Sequence, residues 1–417
     1  MMAVFHERDQ AKTMEHVRFG VIGLGSIGSR HVGYLNNLTG AKLAAVCDAD
    51  RPLAQKIAEE RGVPAFDNFK AMLDAHCVDA IIIATPHFQH PPVALAAFAA
   101  GVHVLCEKPL AVSVKQARNV IAASKSRPDL KFALMLQQRT WPIYVEMKKR
   151  LAAGDLGPIS RITWTITDWF RTDAYYASGG WRATWDGEGG GVLLNQCPHN
   201  LDLLWWLTGM MPQRITAVAR IGASHPIEVE DEVSAILEYE NGAFGQFNTA
   251  TGEAPGCNRL EIATDQGLLI CEPGKVTMRR TTQSVRELRQ TGPANSRGAA
   301  THDEVVTFPP EPKDNHKLIT QNFINAILHN EPLLAPGTDG SFGLELGNAM
   351  LMSGLKRTPV ELPLDGEAYE HFLAGLATKY PGVSEANPDV ARAALSLSPN
   401  LSAIVRRKVK GKSAAGV

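Results

Sequence analysis

The order of apolar and polar positions divides the chain into two halves with different rhythms. Between residues 17 and 140, short apolar runs alternate with helical periodicities. Phe19 to Ile22 is apolar, and a helical pattern follows it through His31, Leu35 and Leu38. Lys42 to Cys47, Ala80 to Ala84 and Val102 to Cys106 are further strand-like runs. The run from Ala80 is apolar throughout, as suits a parallel sheet covered on both faces. Helical stretches separate these runs: Val93 to Ala100, and another opened by Ser113-Val-Lys-Gln116, which reads as a capping box. Strand and helix in strict alternation predict a doubly wound parallel sheet.

After Trp141-Pro142 the rhythm changes. A helix over Tyr144 to Ala153 leads into Gly157-Pro158, and strand signals then dominate. Ile159 to Thr167 alternates, and Val233 to Tyr239 and Ala243 to Phe247 flank the hairpin signal Asn241-Gly242. Leu260 to Ala263, Leu268 to Cys271 and Glu304 to Phe308 are the remaining candidate strands, and they predict a large, mostly antiparallel open sheet with one covered face. Helical patterns return at Lys317 to His329, Ser341 to Lys356 and Glu367 to Ala377. The expected fold class is therefore α/β: an N-terminal Rossmann doubly wound sheet plus a C-terminal α/β domain. The expected divisions are an extension over 1–16, a nucleotide-binding domain over 17–140, a second domain over 141–363, and a C-terminal extension with a basic tail over 364–417.

Composition narrows the function classes. The chain of 417 residues carries 42 basic and 43 acidic side chains, a net charge of -1, which offers no attraction to nucleic acid or an acidic membrane. Six widely spaced cysteines without a CxxC pair read as reduced thiols. The first sixteen residues lack the apolar segment of a signal peptide, and no apolar run reaches the ~20 residues of a membrane helix. A cytoplasmic protein is expected. Isoleucine, tryptophan and phenylalanine in the sheet segments suggest a homo-oligomer formed through the open face.

Chemistry concentrates at three places. The first is Gly23-x-Gly25-x-x-Gly28, with Ser26 and Ile27 inside it, set between a strand and a helix. That arrangement suits a dinucleotide: a tight turn, a close backbone approach to pyrophosphate, and close helix–strand packing. Asp48 ends the second strand, where a carboxylate accepts ribose hydroxyls and repels a 2′-phosphate, so NAD is favoured over NADP. Arg51 nearby weakens that preference. The second place is the rim beyond the strand ends, where Thr85, Pro86, His87 and His90 face Glu107, Lys108 and Pro109.

The third place is Gly189-Gly-Gly191 to Gly209, in which Asn195, His199 and Asp202 follow helical spacing on one face. Pro198 should kink this segment or start a new helix near His199. His199 reads either as a core histidine or as a general base. Arg139, Trp181 and Arg182 are further candidate contacts, and Trp164, Trp169 and Trp185 candidate stacking surfaces for sugar rings. A zinc site from His87, His90, Cys197 and His199 matches no standard ligand spacing, and no metal is expected.

The glycine loop, Glu107-Lys108-Pro109 and the segment Gly-Gly-Gly…Asn195…His199-x-x-Asp202 together resemble the Gfo/Idh/MocA family of oxidoreductases. The resemblance covers roughly residues 17–363. It implies an NAD-dependent dehydrogenase acting on a carbohydrate hydroxyl, with the C-terminal sheet as a subunit contact and the helix 341–356 returning to the first domain. It implies Lys108 as the lysine at the reacting hydroxyl and His199 as the acid/base. Arg139, Asn195, Lys108 and His199 would meet substrate. Gly23, Gly25, Ser26, Ile27, Gly28, Asp48, Arg51, Thr85, Pro86, His87, His90, Glu107, Lys108 and Arg182 would meet the cofactor. The inositol-type pattern has aspartate where this chain has Asn195, which cannot ionise. Two rival readings remain: a glycoside-cleaving enzyme working through a transient 3-keto intermediate, and a non-catalytic sugar or NAD sensor.

Overall fold

The computed structural model describes residues 15–310 and 314–379. The expected N-terminal extension up to residue 14, and the basic tail over 406–412, lie outside the described residues. Six parallel strands form the first sheet: β1 (Val17–Ile22), β2 (Ala41–Cys47), β3 (Ala65–Phe66), β4 (Ala80–Ile83), β5 (His103–Cys106) and β6 (Phe132–Leu134). Their spatial order is β3-β2-β1-β4-β5-β6. The order reverses between β1 and β4, which is where such sheets bind ligands. The helices α1 (Ser26–Leu35), α2 (Arg51–Arg61), α3 (Phe69–Asp74), α4 (His90–Ala99) and α5 (Val114–Lys125) cross between them. Local chemistry sets their ends. Asp50 accepts Leu53 N and Gly62 closes α2 at φ 66°, while Ser113 Oγ accepts Gln116 N to open α5. The reciprocal half of the expected capping box is missing, because Gln116 Oε1 has no partner.

The second sheet is larger. Among the described residues it comprises β7 (Ile159–Ile166), β8 (Arg214–Ile221), β9 (Glu230–Glu238), β10 (Phe244–Ala250), β11 (Asn258–Thr264), β12 (Gly267–Glu272), β13 (Lys275–Thr281), β14 (Thr301–Thr307) and β15 (Val360–Glu361). All neighbours are antiparallel except β7 and β10. The remaining helices are α6 (Pro142–Ala152), α7 (Asp173–Ala177), α8 (Pro198–Thr208), α9 (Val285–Thr291), α10 (His316–His329), α11 (Gly340–Lys356) and α12 (Gly366–Lys379). The alternating segment β8 escapes the pattern reading because its core-facing residues are mostly small: Ala217 and Ala219 beside Ile215.

Two expectations change. The segment from Gly189 is not one helix: it runs as turns through Cys197, and α8 begins at Pro198, whose missing N–H costs nothing in a first turn. Two of the three tryptophans considered as stacking surfaces are withdrawn into the core, and only Trp164 of the three lies on a strand. Trp164 and Trp185 are each 1% exposed, so both belong to the core, whereas Trp169 is half-buried. The open face carries cross-strand ion pairs instead, Arg161 to Glu261 and Arg259 to Glu272.

The helix α11 connects both sheets to α8. It is buried almost all round, and glycines set its depth. A Cβ at Gly343 would lie 2.8 Å from Asp202 N, and one at Gly354 would lie 2.7 Å from Ala219 N. On its other side Asn348 accepts Val114 N at 2.9 Å and donates to Val112 O at 3.1 Å, which joins α11 to the start of α5. Arg139 completes the junction. Its Nε and Nη2 donate to Asp202 Oδ2 and Oδ1 at 2.8 and 2.6 Å, and Nη1 donates to Asp339 Oδ2 at 2.7 Å. Its side chain is 2% exposed, with the guanidinium 5.8 and 5.7 Å from the Trp205 and Trp206 rings.

Removing the cation would strand two carboxylates, one fully buried. Arg139→Met should therefore lower unfolding free energy by about 3–5 kcal/mol, read as an earlier urea midpoint with unchanged slope. An unchanged midpoint would show that the junction does not depend on this pair.

Candidate active site

The glycine loop shows three different demands on its three glycines. Gly23 has φ +88° and a Cβ there would press on the Ala84 backbone at 2.6 Å. A Cβ at Gly28 would lie 1.8 Å from Gly23 O, so α1 can start only against a bare backbone. Gly25 is different: nothing lies within 4 Å of its Cβ position. The open space is where a pyrophosphate needs to come close, above the uncapped N–H groups of α1. No acidic residue stands in the first turn of α1 to compete with it. Ser26 is exposed and Ile27 half-buried on the same turn.

Asp48 lies against this loop. Its Oδ2 accepts Leu24 N at 2.6 Å and its Oδ1 accepts Asp50 N at 2.8 Å. Arg51 is exposed and 4.0 Å from Asp67, outside the loop itself. These residues fit a dinucleotide: Asp48 would accept ribose hydroxyls, and Gly25 and Ser26 would leave room for a pyrophosphate.

The rim beyond the strands is tied together by buried histidines. His90 Nδ1 is 2.7 Å from Pro109 O and Nε2 is 2.8 Å from Thr85 O, so one ring spans both strand-end loops. His87 Nδ1 is 3.1 Å from Glu188 O, and its ring meets Trp181 edge-on at 5.2 Å. Burial lowers the pKa of both rings. Thr85 Oγ1 is buried without a hydrogen-bond partner. Glu107 accepts from His31 Nε2 at 2.8 Å. Burial alone would raise its pKa, but that hydrogen bond and the His31 charge hold it at about 2.

Lys108 and His199 stand at the centre. Lys108 Nζ donates to the Asn195 carbonyl at 2.7 Å, and burial pushes its pKa below the usual lysine value despite the pull of Glu107 and Glu188. His199 is 5% exposed. Burial first, and the Lys108 charge second, push its pKa down to about 3. The imidazole is therefore neutral at physiological pH, the form that accepts a proton. The Gln137 amide lies 3.0 Å from Nε2, while Nδ1 has no partner. One ring nitrogen is held and the other is left for a ligand. Gln137 Oε1 and Gln196 Oε1 are also buried without partners, so unfilled polar atoms gather around the two residues.

The helical face expected for Asn195, His199 and Asp202 dissolves. Asn195 precedes α8, and its Nδ2 donates to Glu188 Oε1. Asp202 grips Arg139 rather than the imidazole. The same pairing commits Arg139 to two carboxylates, away from any substrate contact. Arg182 stands in the wall above Lys108, 4.0 Å from Glu188, rather than at the glycine loop. The four residues of the hypothetical zinc site point elsewhere, with both ring nitrogens of His90 on carbonyls and Cys197 Sγ on Thr249 Oγ1 at 2.9 Å.

Sequence reasoning missed Glu188, Gln137 and Glu230. Glu188 is 1% exposed, accepts Ala183 N at 2.6 Å, and has its pKa raised by burial. Glu230 accepts Gly191 N and Leu193 N at 2.8 and 3.1 Å, and burial pushes its pKa up to about 7. It shapes the glycine run that delivers Asn195. A carboxylate beside three glycines was visible for Glu188, but Glu230 lies 39 residues from the run it holds.

Comparison with known proteins agrees with this fold. A model described as an oxidoreductase family with an NAD-binding Rossmann fold, GFO_IDH_MocA, matches residues 17–133, and the GFO/IDH/MocA C-terminal domain matches residues 144–270. Inositol 2-dehydrogenase 2 of Saccharopolyspora erythraea is 32% identical over 62% of this chain and 74% of its own length. Inositol 2-dehydrogenase of Rhizobium meliloti is 26% identical over 83% of this chain and 99% of its own. Among solved structures, the WlbA dehydrogenase from Bordetella pertussis, in complex with NADH and UDP-GlcNAcA, superposes with a TM-score of 0.69 at 26% identity, covering 84% of this chain and all of that one. No described helix is long and apolar enough to cross a membrane.

The open space at Gly25 and the contact at Gly28 predict opposite phenotypes. Gly25→Val should leave the melting temperature unchanged and weaken NAD binding at least tenfold. Gly28→Val should lower the melting temperature itself. Calorimetric titration with NAD and a thermal scan separate the two, and equal effects would contradict the assigned roles.

Proposed function

This chain belongs to the Gfo/Idh/MocA oxidoreductase family, and we propose that it moves hydride between NAD and a secondary hydroxyl carbon of a sugar, polyol or glycoside. One observation carries this reading: a buried lysine and a buried neutral histidine face each other amid unpartnered polar atoms, at the rim of a nucleotide-binding sheet. NAD, when bound, supplies the hydride acceptor at its nicotinamide. Thr85 and Asp48 hold its two ends, and Gly25 and Ser26 receive the pyrophosphate.

The chain's own groups then do the proton chemistry. His199 takes the hydroxyl proton on the ring nitrogen that carries no hydrogen in the neutral imidazole. Lys108 Nζ, oriented by the Asn195 carbonyl, donates to the oxygen as negative charge develops on it. Asn195 cannot ionise, so proton uptake falls on His199. Glu188 holds the Asn195 amide and keeps a negative charge within reach of Lys108, which sustains the ammonium form against burial. Gln137 fixes the imidazole ring.

A second copy completes the proposal. The uncovered face of the second sheet, with Val218 and Phe244 each 43% exposed among its ion pairs, is the surface we assign to a homo-oligomer. The six free thiols fit a reducing compartment such as the cytoplasm.

Turnover is tested by NADH formation on a panel of sugars, inositols and glycosides. His199→Asn and Lys108→Met should each lower kcat by about 10²-fold or more while NAD still binds. Near-normal kcat in both would sink the assignment. A second expectation concerns charge. Because Lys108 helps hold the His199 pKa down, Lys108→Met should raise the pH at which the imidazole titrates, followed by its ring-proton resonances. An unmoved titration would show that the two charges do not face each other.

A further inference from the structure

The segment between β7 and α8 gathers two arginines over the active site, and the proposed chemistry uses neither. Arg171 lies 5.4 Å from the Trp169 ring and 4.9 Å from the Tyr175 ring. Arg182 lies 4.8 Å from the same Tyr175 ring and 4.8 Å from Trp181, and its Nη1 donates to Tyr175 OH at 2.9 Å. One tyrosine ring thus contacts two guanidinium groups, although like charges repel. The wall is fixed in place: Trp169 Nε1 donates to Asn200 Oδ1 at 3.1 Å, on the helix of His199, and Arg171 N donates to Thr251 O at 2.9 Å.

Charge in this corner does not balance. Lys108, Arg171 and Arg182 are three cations, and both arginines disfavour the Lys108 ammonium, which shows that their charges reach it. Two carboxylates answer them: Glu107, engaged by His31 Nε2, and Glu188, 4.0 Å from Arg182 and engaged by Ala183 N and Asn195 Nδ2, which leaves one positive charge in excess. Asp231 is engaged by His225 and by the Ala223 and Ser224 amides, and Asp173 acts on His225. Arg171 Nε is buried without a hydrogen-bond partner, and so is Gln196 Oε1, from the residue after Asn195. An oxidised nicotinamide brings one more positive charge. A neutral sugar would leave this excess standing, whereas an anionic group would answer it and fill the vacant donor.

We propose that Arg171 and Arg182 form a subsite for an anionic group on the substrate, so that the hydroxyl oxidised belongs to an acidic sugar carrying a carboxylate or a phosphoryl group. The subsite rests on the dehydrogenase reading above, since it places the sugar beside Lys108 and His199. Its two sources are distinguishable: a carboxylate belongs to the sugar itself, a phosphoryl group to a substituent on its oxygen.

The test uses the full chain with NAD and matched pairs of compounds: hexoses and the corresponding hexuronates, and hexoses and the corresponding hexose 1-phosphates. The acidic member should be preferred in kcat/KM, and added salt should erode the preference. Arg171→Gln should cut the acidic-to-neutral ratio roughly tenfold to a hundredfold, the worth of a hydrogen bond to a charged group. The change should fall mainly in KM. Arg182→Lys should retain part of the preference that Arg182→Gln loses. The arm with the larger ratio identifies the anion. Turnover with no acidic preference, or a ratio unmoved in Arg171→Gln, overturns the subsite and leaves the dehydrogenase standing. If NAD binds and no compound is oxidised, the dehydrogenase reading fails, and titration of the same pairs into the NAD-loaded protein decides the subsite: acidic members bound through Arg171 support it, and equal or absent binding overturns it.

Discussion

A single buried cation joins the parts of this molecule that chemistry needs together. Arg139 leaves the last strand of the parallel sheet and is gripped by Asp202 on the histidine-bearing helix and by Asp339 just before the long helix α11. Burying a guanidinium costs several kcal/mol unless its partners are fixed and well aligned. The two-oxygen grip of Asp202 supplies that alignment, and the indole rings around it exclude water. The glycines of α11 follow from the same requirement, since the two helices approach until backbone meets backbone at Gly343 and Asp202. The position of His199 relative to the nucleotide-binding sheet is therefore set by electrostatics and by the absence of side chains, not by a flexible linker.

Burial performs a second task at the site, by deciding which groups carry charge. Three ionisable residues sit within a short stretch of the rim and respond differently. Glu107 stays ionised because His31 hydrogen-bonds it, burial lowers the Lys108 pKa, and His199 stays neutral. Each result comes from a competition between desolvation and a specific neighbour. The outcome is a neutral imidazole near a cation, the pairing on which the proposed proton transfer relies.

Much of the first half was legible because its signals are local. The glycine spacing, the apolar run at Ala80 to Ala84 and the carboxylate at Asp48 each report a nearby backbone event. The hairpin at Asn241-Gly242 was readable for the same reason. The second half was harder where function depends on distant partners. Helical spacing placed Asn195, His199 and Asp202 on one face, yet the backbone turns before Pro198 and sends the three to different neighbours. Spacing cannot reveal that Glu230, on a strand, accepts from Gly191, or that Glu188 answers Asn195. Small-residue strands such as β8 gave too little contrast to stand out.

Asp48 bears on how such a protein changes over generations. The carboxylate that would select the ribose is also the acceptor that holds Leu24 N, and so the glycine loop, in shape. Cofactor choice and loop architecture share one side chain. A lineage moving toward a phosphorylated ribose cannot discard that acid alone, because the turn under the pyrophosphate would lose its brace in the same step. A new acceptor for Leu24 N has to arise first or together with the change, which makes the nucleotide preference a trait of the whole loop.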